Sequence, residues 1–381
     1  MSTLEQTIKK YAGELGFEVA GITTAEAFLR DERAAIQRIR DGLMDGLPWY
    51  TEERVRRANR PEELLPGAMS VISLAMSYLT GEPDRGNLGP TGKVARYAWG
   101  DDYHDVMKKR LRQFVEGLSE RLGRAIRSRI FVDDGPMNDR AAAERAGVGW
   151  FGKNTNILTP SHGSWVLLGQ VVTDLDLEPD LPLAKTCGNC VLCIEACPTG
   201  AIPAPYVIDN TRCISFLTIE LRGPMPRELR PLVDDWVFGC DICQDVCPVN
   251  RKAALGLEPA FRQRDESGAP ALLPLLDMDD QAFRERFRKS PIKRAKRIGL
   301  QRNALVALGN AGDPATVPAL TRSLGSSDAI VREHAAWALG RIGGGEAAEA
   351  LRLGLEGEED ASVRSEIELS LAEIGAPAGG A

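Results

Sequence analysis

The chain has 381 residues, 43% of them hydrophobic and 27% charged, and a net charge of −7. That is room for two or three domains with a real core, in the composition of a soluble globular protein. The absence of any run of 18 apolar residues excludes a helical membrane span; with no secretory h-region at the start, a cytoplasmic protein is expected.

Residues 1–180 alternate helical and strand-like segments. "LEQTIKKYAGELGF" (4–17) has apolar residues at helical spacing and runs into the short strand "EVAGITT". "MSVISLAMSY" (69–78) reads as a buried strand. "YHDVMKKRLRQFVEGLSERLG" (103–123) reads as an amphipathic helix ended by Gly123. "RSRIFVDDGP" (127–136) is a strand entering a loop, and "GSWVLLGQVVTD" (163–174) is a strand pair or one long strand. These elements predict an α/β or α+β domain.

"FVDDGPMNDRAAAERAGVGWFGKNTNIL" (131–158) carries the densest chemistry. Loops at strand ends commonly hold catalytic groups. Asp133 or Asp134, partly buried there, would keep a proton and could donate it; the competing reading is a turn or helix-cap residue. "GVGWFGKN" offers glycines for close backbone approach to a large ligand. It is not a P-loop, because Asn154 follows Lys153 where Ser or Thr is needed. Asp102-Tyr103-His104 begins the D-x-H-x-x-G pattern of corrinoid proteins, but Met107 stands at the glycine position. His104 is therefore not expected on cobalt.

The chain has eight cysteines. In a reducing compartment metal ligation is a better reading than disulfides. Cys187, Cys190, Cys193 and Cys197 are spaced C-x2-C-x2-C-x3-C before Pro198; Cys213 precedes Cys240, Cys243 and Cys247, followed by Pro248. In two-cluster ferredoxins the last cysteine of each run serves the other cluster. One [4Fe–4S] cluster is thus assigned to Cys187, Cys190, Cys193 and Cys247, the other to Cys197, Cys213, Cys240 and Cys243. The alternative, two all-cysteine zinc sites, usually shows paired C-x2-C knuckles instead. Residues 181–255 are read as a ferredoxin-like domain and 256–300 as a basic connector.

The acidic average hides a basic stretch. "FRERFRKSPIKRAKRIGLQR" (283–302) sets nine Lys and Arg side chains against Glu285 alone. Lys293, Arg294, Lys296, Arg297 and Arg302 are candidate phosphate contacts; the alternative is a solvated face. Residues 301–375 repeat a helix, a glycine turn and a helix, with Arg302, Arg332 and Arg364 marking the register. They are read as HEAT-like repeats whose last unit is incomplete, serving as scaffold or as partner surface.

Together "VARYAWGDDYH", "FVDDGP", "AGVGWFGKNT", the cysteine pattern, "RCISFLTIELRG", "FGCDICQDVCPVNR" and "SPIKRAKRIGLQRNALVALGNAG" resemble the epoxyqueuosine reductases over nearly the whole chain. The resemblance implies an α+β protein: an N-terminal α/β cobalamin-binding domain (1–180), the two-cluster domain and the helical repeats. It implies an oxidoreductase that reduces epoxyqueuosine to queuosine at the wobble position of tRNA, the last step of queuosine biosynthesis. Cob(I)alamin fed by two [4Fe–4S] clusters would do the reduction, with Asp133 as proton donor to the epoxide oxygen. Cobalamin contacts would fall on Arg57, Arg96, Asp133, Ile157, Leu168, Ser215, Cys240 and Asp241, and Arg140 would face the substrate. Asp134 departs from the small Ser or Thr of relatives. The implied partners are the tRNA anticodon stem-loop and an external electron donor; a monomer is expected. Two other readings compete: corrinoid reduction of a small molecule such as an organohalide, and an iron–sulfur carrier or RNA-binding protein without catalysis. The first leaves the basic stretch and the repeats unused; the second leaves residues 131–158 unused.

Overall fold

The computed structural model describes residues 3–81, 89–264 and 267–375. The chain forms two compact units, each drawn from several stretches. One comprises Met1–Glu82, Trp99–Thr211 and Asp241–Gln263; the other comprises Pro83–Ala98, Arg212–Cys240 and Arg264–Ala381. No helix among the described residues is long and apolar enough to cross a membrane.

The first unit is built on an antiparallel sheet. Its strands are β1 (Val19–Thr24), β2 (Ser70–Ser77), β3 (Ser128–Phe131) and β4 (Val166–Thr173), in the order β1-β2-β4-β3. β2 is buried at all eight positions, which explains its almost unbroken apolar sequence: a central strand covered on both faces needs no polar alternation. Helices α1 (Leu4–Glu14) and α2 (Tyr103–Leu122) and the short α3 (Asp139–Arg145) complete the layers. On the α2 side, Gly169 of β4 lets the helix approach; a Cβ there would stand 3.0 Å from Leu111 Cδ1 and 3.1 Å from Met107 Cε. On the α3 side, Val71, Phe131 and Val172 pack on Ala141 and Ala142. The small alanine face of α3 lets its backbone lie close to the sheet.

The second unit holds α4 (Ile214–Ile219) and β5 (Trp236–Phe238), which pairs in parallel with Lys93–Val94. Its helical stack is α5 (Lys296–Ala311), α6 (Val317–Ser323), α7 (Ala329–Ile342), α8 (Gly344–Glu356) and α9 (Ala361–Gly375). This makes two hairpins and a lone last helix, as the repeat predicts. Gly309 sets the α5–α7 spacing, because a Cβ there would be 2.7 Å from the Trp337 ring and 2.9 Å from Ala338 Cα.

The structure corrects one assigned contact. Arg302 is 1% exposed and cannot meet a phosphate. Its guanidinium donates to the carbonyls of Leu217, Leu221 and Gly223 and to Asn303 Oδ1. Burial pushes its pKa down to about 9, and the charges of Arg222 and Arg230 add to that. Asn303, also buried, donates to the carbonyls of Thr218 and Val237 at 2.8 Å each. The pair therefore braces α4, which begins after Cys213, and β5, which leads to Cys240. All three register arginines act this way: Arg332 donates to the Ser326 carbonyl, and Arg364 to those of Leu355 and Glu358.

Candidate active site

β3 ends at Phe131, and the loop beyond it carries Asp133 in a left-handed conformation, φ +53°. Asp tolerates this region better than most residues. Its side chain is 72% exposed rather than partly buried as the sequence suggests. The N-terminus of α2 faces it. Tyr103 donates its hydroxyl to Asp133 Oδ2 at 2.5 Å, and His104 Nε2 stands 3.9 Å from the same oxygen. The Tyr103 and His104 rings stack with centroids 4.0 Å apart. Asp102 caps the helix by accepting the His104 N–H, and the same carboxylate lies 2.8 Å from His104 Nδ1. His104 thus has a carboxylate beside each ring nitrogen, hydrogen-bonded at Nδ1 and more distant at Nε2.

The additional carboxylate of Asp134 is ion-paired with Lys108 of α2, so its charge is answered locally. Arg54 Nη2 donates to the Gly135 carbonyl of the same loop at 3.4 Å. Arg140 is exposed and donates to the Thr155 carbonyl at 3.2 Å. Sequence reasoning singled out Asp133 but gave no role to Tyr103, Asp102 or Lys108. Their signal was the Asp102-Tyr103-His104 stretch itself, with Lys108 one turn beyond His104 on a helix whose start lies beside the loop. It also missed Asp139, whose pKa is pushed up to about 8, chiefly by burial and then by the charge of Asp133.

Of the residues assigned to cobalamin, Ile157 and Leu168 meet in one apolar cluster with Ala75, Ala143, Ala146 and Val148. Leu168, Phe151 and Val166 are only partly buried there and leave apolar surface open. Arg57 is exposed, and Asp241 is buried. Arg96, Ser215 and Cys240 belong to the second unit.

None of the eight cysteines is in a disulfide, and all are half-buried. Within the first unit, Cys187, Cys190, Cys193 and Cys247 come together. Burial pushes the Cys193 thiol up, and Cys187, Cys247 and Cys190 push it further; Cys247 is raised by burial and by Cys187 and Cys190. Four thiols crowded in one place are a donor set for a metal centre. The glycine-rich segment serves these loops directly: Lys153 Nζ donates to the Gly188 carbonyl at 2.8 Å and Asn154 Nδ2 to the Cys243 carbonyl at 3.2 Å. Cys197 and Cys243 lie in the first unit, Cys213 and Cys240 in the second.

Comparison with known proteins decides the family. Residues 57–134 match the family described as epoxyqueuosine reductase QueG, DUF1730; residues 186–250 match a 4Fe-4S double cluster binding domain and 292–372 match HEAT repeats. An epoxyqueuosine reductase of Pseudomonas aeruginosa is 41% identical over 347 residues, 89% of this chain and 95% of the relative. The chain belongs to the epoxyqueuosine reductase family. A solved epoxyqueuosine reductase with an epoxyqueuosine-modified tRNA-Tyr stem loop superposes with a TM-score of 0.91 at 35% identity, over 98% of this chain and 99% of the other. A Bacillus subtilis epoxyqueuosine reductase, with its catalytic aspartate loop swung out of the active site, superposes with a TM-score of 0.90 at 34% identity, over 97% and 99%.

Proposed function

We propose that this chain reduces epoxyqueuosine to queuosine at the wobble position of tRNA. The observation that carries the reading is the Asp133 carboxyl, held at the mouth of a strand-end loop by Tyr103 and faced by His104, in a chain of this family. The overall change takes two electrons and two protons into an epoxide and releases an alkene and water.

Asp133 gives the first proton. Tyr103 occupies Oδ2, so Oδ1 is the oxygen left to hold a proton toward the substrate. General acid catalysis of this kind contributes about 10²–10⁴-fold. Asp102 beside Nδ1 orients the His104 ring and leaves Nε2 toward Asp133, where it can return a proton between turnovers. Tyr103 and His104 are positioning residues in this account.

Cys187, Cys190, Cys193 and Cys247 would hold one cluster and Cys197, Cys213, Cys240 and Cys243 the other, and the clusters would supply the electrons that an external donor provides. Cobalamin is implied by the family resemblance, and the open apolar surface at Leu168, Phe151 and Val166 suits a corrin face. Arg57, Arg96, Asp133, Ile157, Leu168, Ser215, Cys240 and Asp241 would hold it. When bound, it supplies the reducing chemistry at carbon; the protein supplies orientation and protons.

Lys293, Arg294 and Lys296 are exposed and Arg297 is half-buried. Arg294 pairs with Glu220 and Arg297 with Asp280. We assign these four to phosphates of the anticodon stem-loop.

The test is anaerobic turnover with clusters and cobalamin reconstituted, epoxyqueuosine-modified tRNA and a reductant, followed by mass spectrometry of the digested nucleosides. Loss of one oxygen from the modified nucleoside supports the reading. No loss, with about eight irons (two four-iron clusters) and one corrin per chain, overturns it and favours a small-molecule substrate.

A further inference from the structure

Asp139 opens α3 directly behind the Asp133 loop, and its surroundings are those of a group with a task. Its Oδ1 is fully buried and has no hydrogen-bond partner among the described residues. Gln170 of β4 donates from Nε2 to the Asp139 carbonyl at 3.3 Å, while its own Oε1 is buried without a partner. Ser73 of β2 lies directly opposite Gln170 across the sheet, and its Oγ is a third such atom. Buried polar groups are nearly always paired. Here two acceptors and one hydroxyl lie without partners, and a proton on Asp139 would bring a donor among them.

The electrostatics agree with that proton. Burial and the neighbouring Asp133 carboxylate push Asp139 up to about 8, against the opposing pull of the Asp133 main-chain N–H and the Arg140 charge. No strand packed on α3 contributes an ionisable side chain: β1, β2, β4, Trp150–Phe151 and Ile157–Leu158 contain none. Around the loop itself the charged and titratable groups are Asp133, Asp134 with Lys108, Tyr103, His104 and Arg54.

We propose that Asp139 is a proton-dependent latch for the loop that bears Asp133, and hence a positioning residue for the proton donor. With its proton on, Asp139 sits beside Asp133 as a neutral group that can accept the Asp133 N–H. With its proton off, an unpaired buried carboxylate faces a second carboxylate. Burying such a charge is costly, and the loop opens to hydrate it. The role in catalysis rests on the function proposed above, but the latch can be read without any substrate.

The experiment is hydrogen–deuterium exchange of the loop peptide spanning residues 131–137 in the cluster-loaded protein from pH 6.5 to 9.5, corrected for base-catalysed exchange. In the wild type, loop protection falls about tenfold per pH unit from pH 6.5 up to about 8 and levels off above it, as one-proton linkage requires. Asp139→Asn keeps the shape and the donor but cannot ionise; its protection stays flat throughout. Asp133→Asn removes the repelling charge and moves the wild-type transition to lower pH. Protection that is independent of pH in the wild type, or the same fall in Asp139→Asn, overturns the proposal. If Asp139→Asn does not fold, the wild-type profile and its shift in Asp133→Asn still decide. Failure of turnover on modified tRNA would leave this exchange result untouched, so the two readings fail separately.

Discussion

Tyr103 fixes which oxygen of Asp133 is free, and its removal tests that geometry. Tyr103→Phe is expected to lower kcat about tenfold, the loss of about 1.4 kcal/mol of transition-state stabilisation, with KM for the tRNA unchanged. Equal losses in kcat and affinity would mean that the hydroxyl contacts the substrate instead. Asp139 carries a stability prediction of its own. Its carboxyl is raised in the folded state from an ordinary 3.8 to about 8. Between those values the unfolded chain has released the proton and the folded chain has kept it, so stability falls as pH rises through that window. Asp139→Asn should therefore melt higher than the wild type, with a difference that grows from pH 4 to 8 and then levels off; thermal melts across pH read it, and parallel curves would refute it. The sequence pointed to a carboxylate at this strand end with a raised pKa, and the structure places one at Asp139. "NDRAAAER" reads locally as a cap and a helix start. Only the sheet packed behind it reveals that the carboxyl is buried.

At the scale of elements, β2, α2 and the terminal helices were legible because each is patterned over many residues. β2 is apolar along its length, α2 is amphipathic over five turns and stopped by Gly123, and the repeats return at an almost constant interval. Helix Leu29–Arg40 was not picked out: "LRDERAAIQRIR" is mostly charged, and only Glu32 and Ala35 are buried in it. Arg302 was misread because basic neighbours outweighed its register in the repeat. Its equivalents Arg332 and Arg364 lie outside the basic stretch and also bind main-chain carbonyls, which was the available clue. Arg302→Ala strips donors from three carbonyls around α4, at about 1–3 kcal/mol for each buried acceptor left unsatisfied. A lower melting temperature and reduced iron content are expected, with stem-loop affinity of the folded fraction unchanged. A selective loss of RNA affinity at full stability would return Arg302 to the phosphate contacts.

Across the whole molecule, a net charge of −7 coexists with a local cationic surface, and the average alone would have argued against an RNA substrate. Counterion release makes the distinction measurable. Lys293→Ala and Lys296→Ala should each flatten the dependence of log affinity on log salt by about 0.7–0.9, the share of one phosphate contact; unchanged slopes would remove these lysines from the interface. The cysteine pattern was the most legible feature, because ligand spacing is dictated by the cluster rather than by the fold. The proton path was the least legible, because Asp133 is distant in sequence from Tyr103 and His104 and meets them only where α2 starts beside the β3 loop. The most direct test of the account is a single-turnover reaction of pre-reduced, cobalamin-loaded protein on epoxyqueuosine-modified tRNA, wild type against Asp133→Asn, read by mass spectrometry of the nucleosides. The account predicts rapid loss of one oxygen in the wild type and a rate lower by about 10²-fold or more in the variant; equal rates would contradict it.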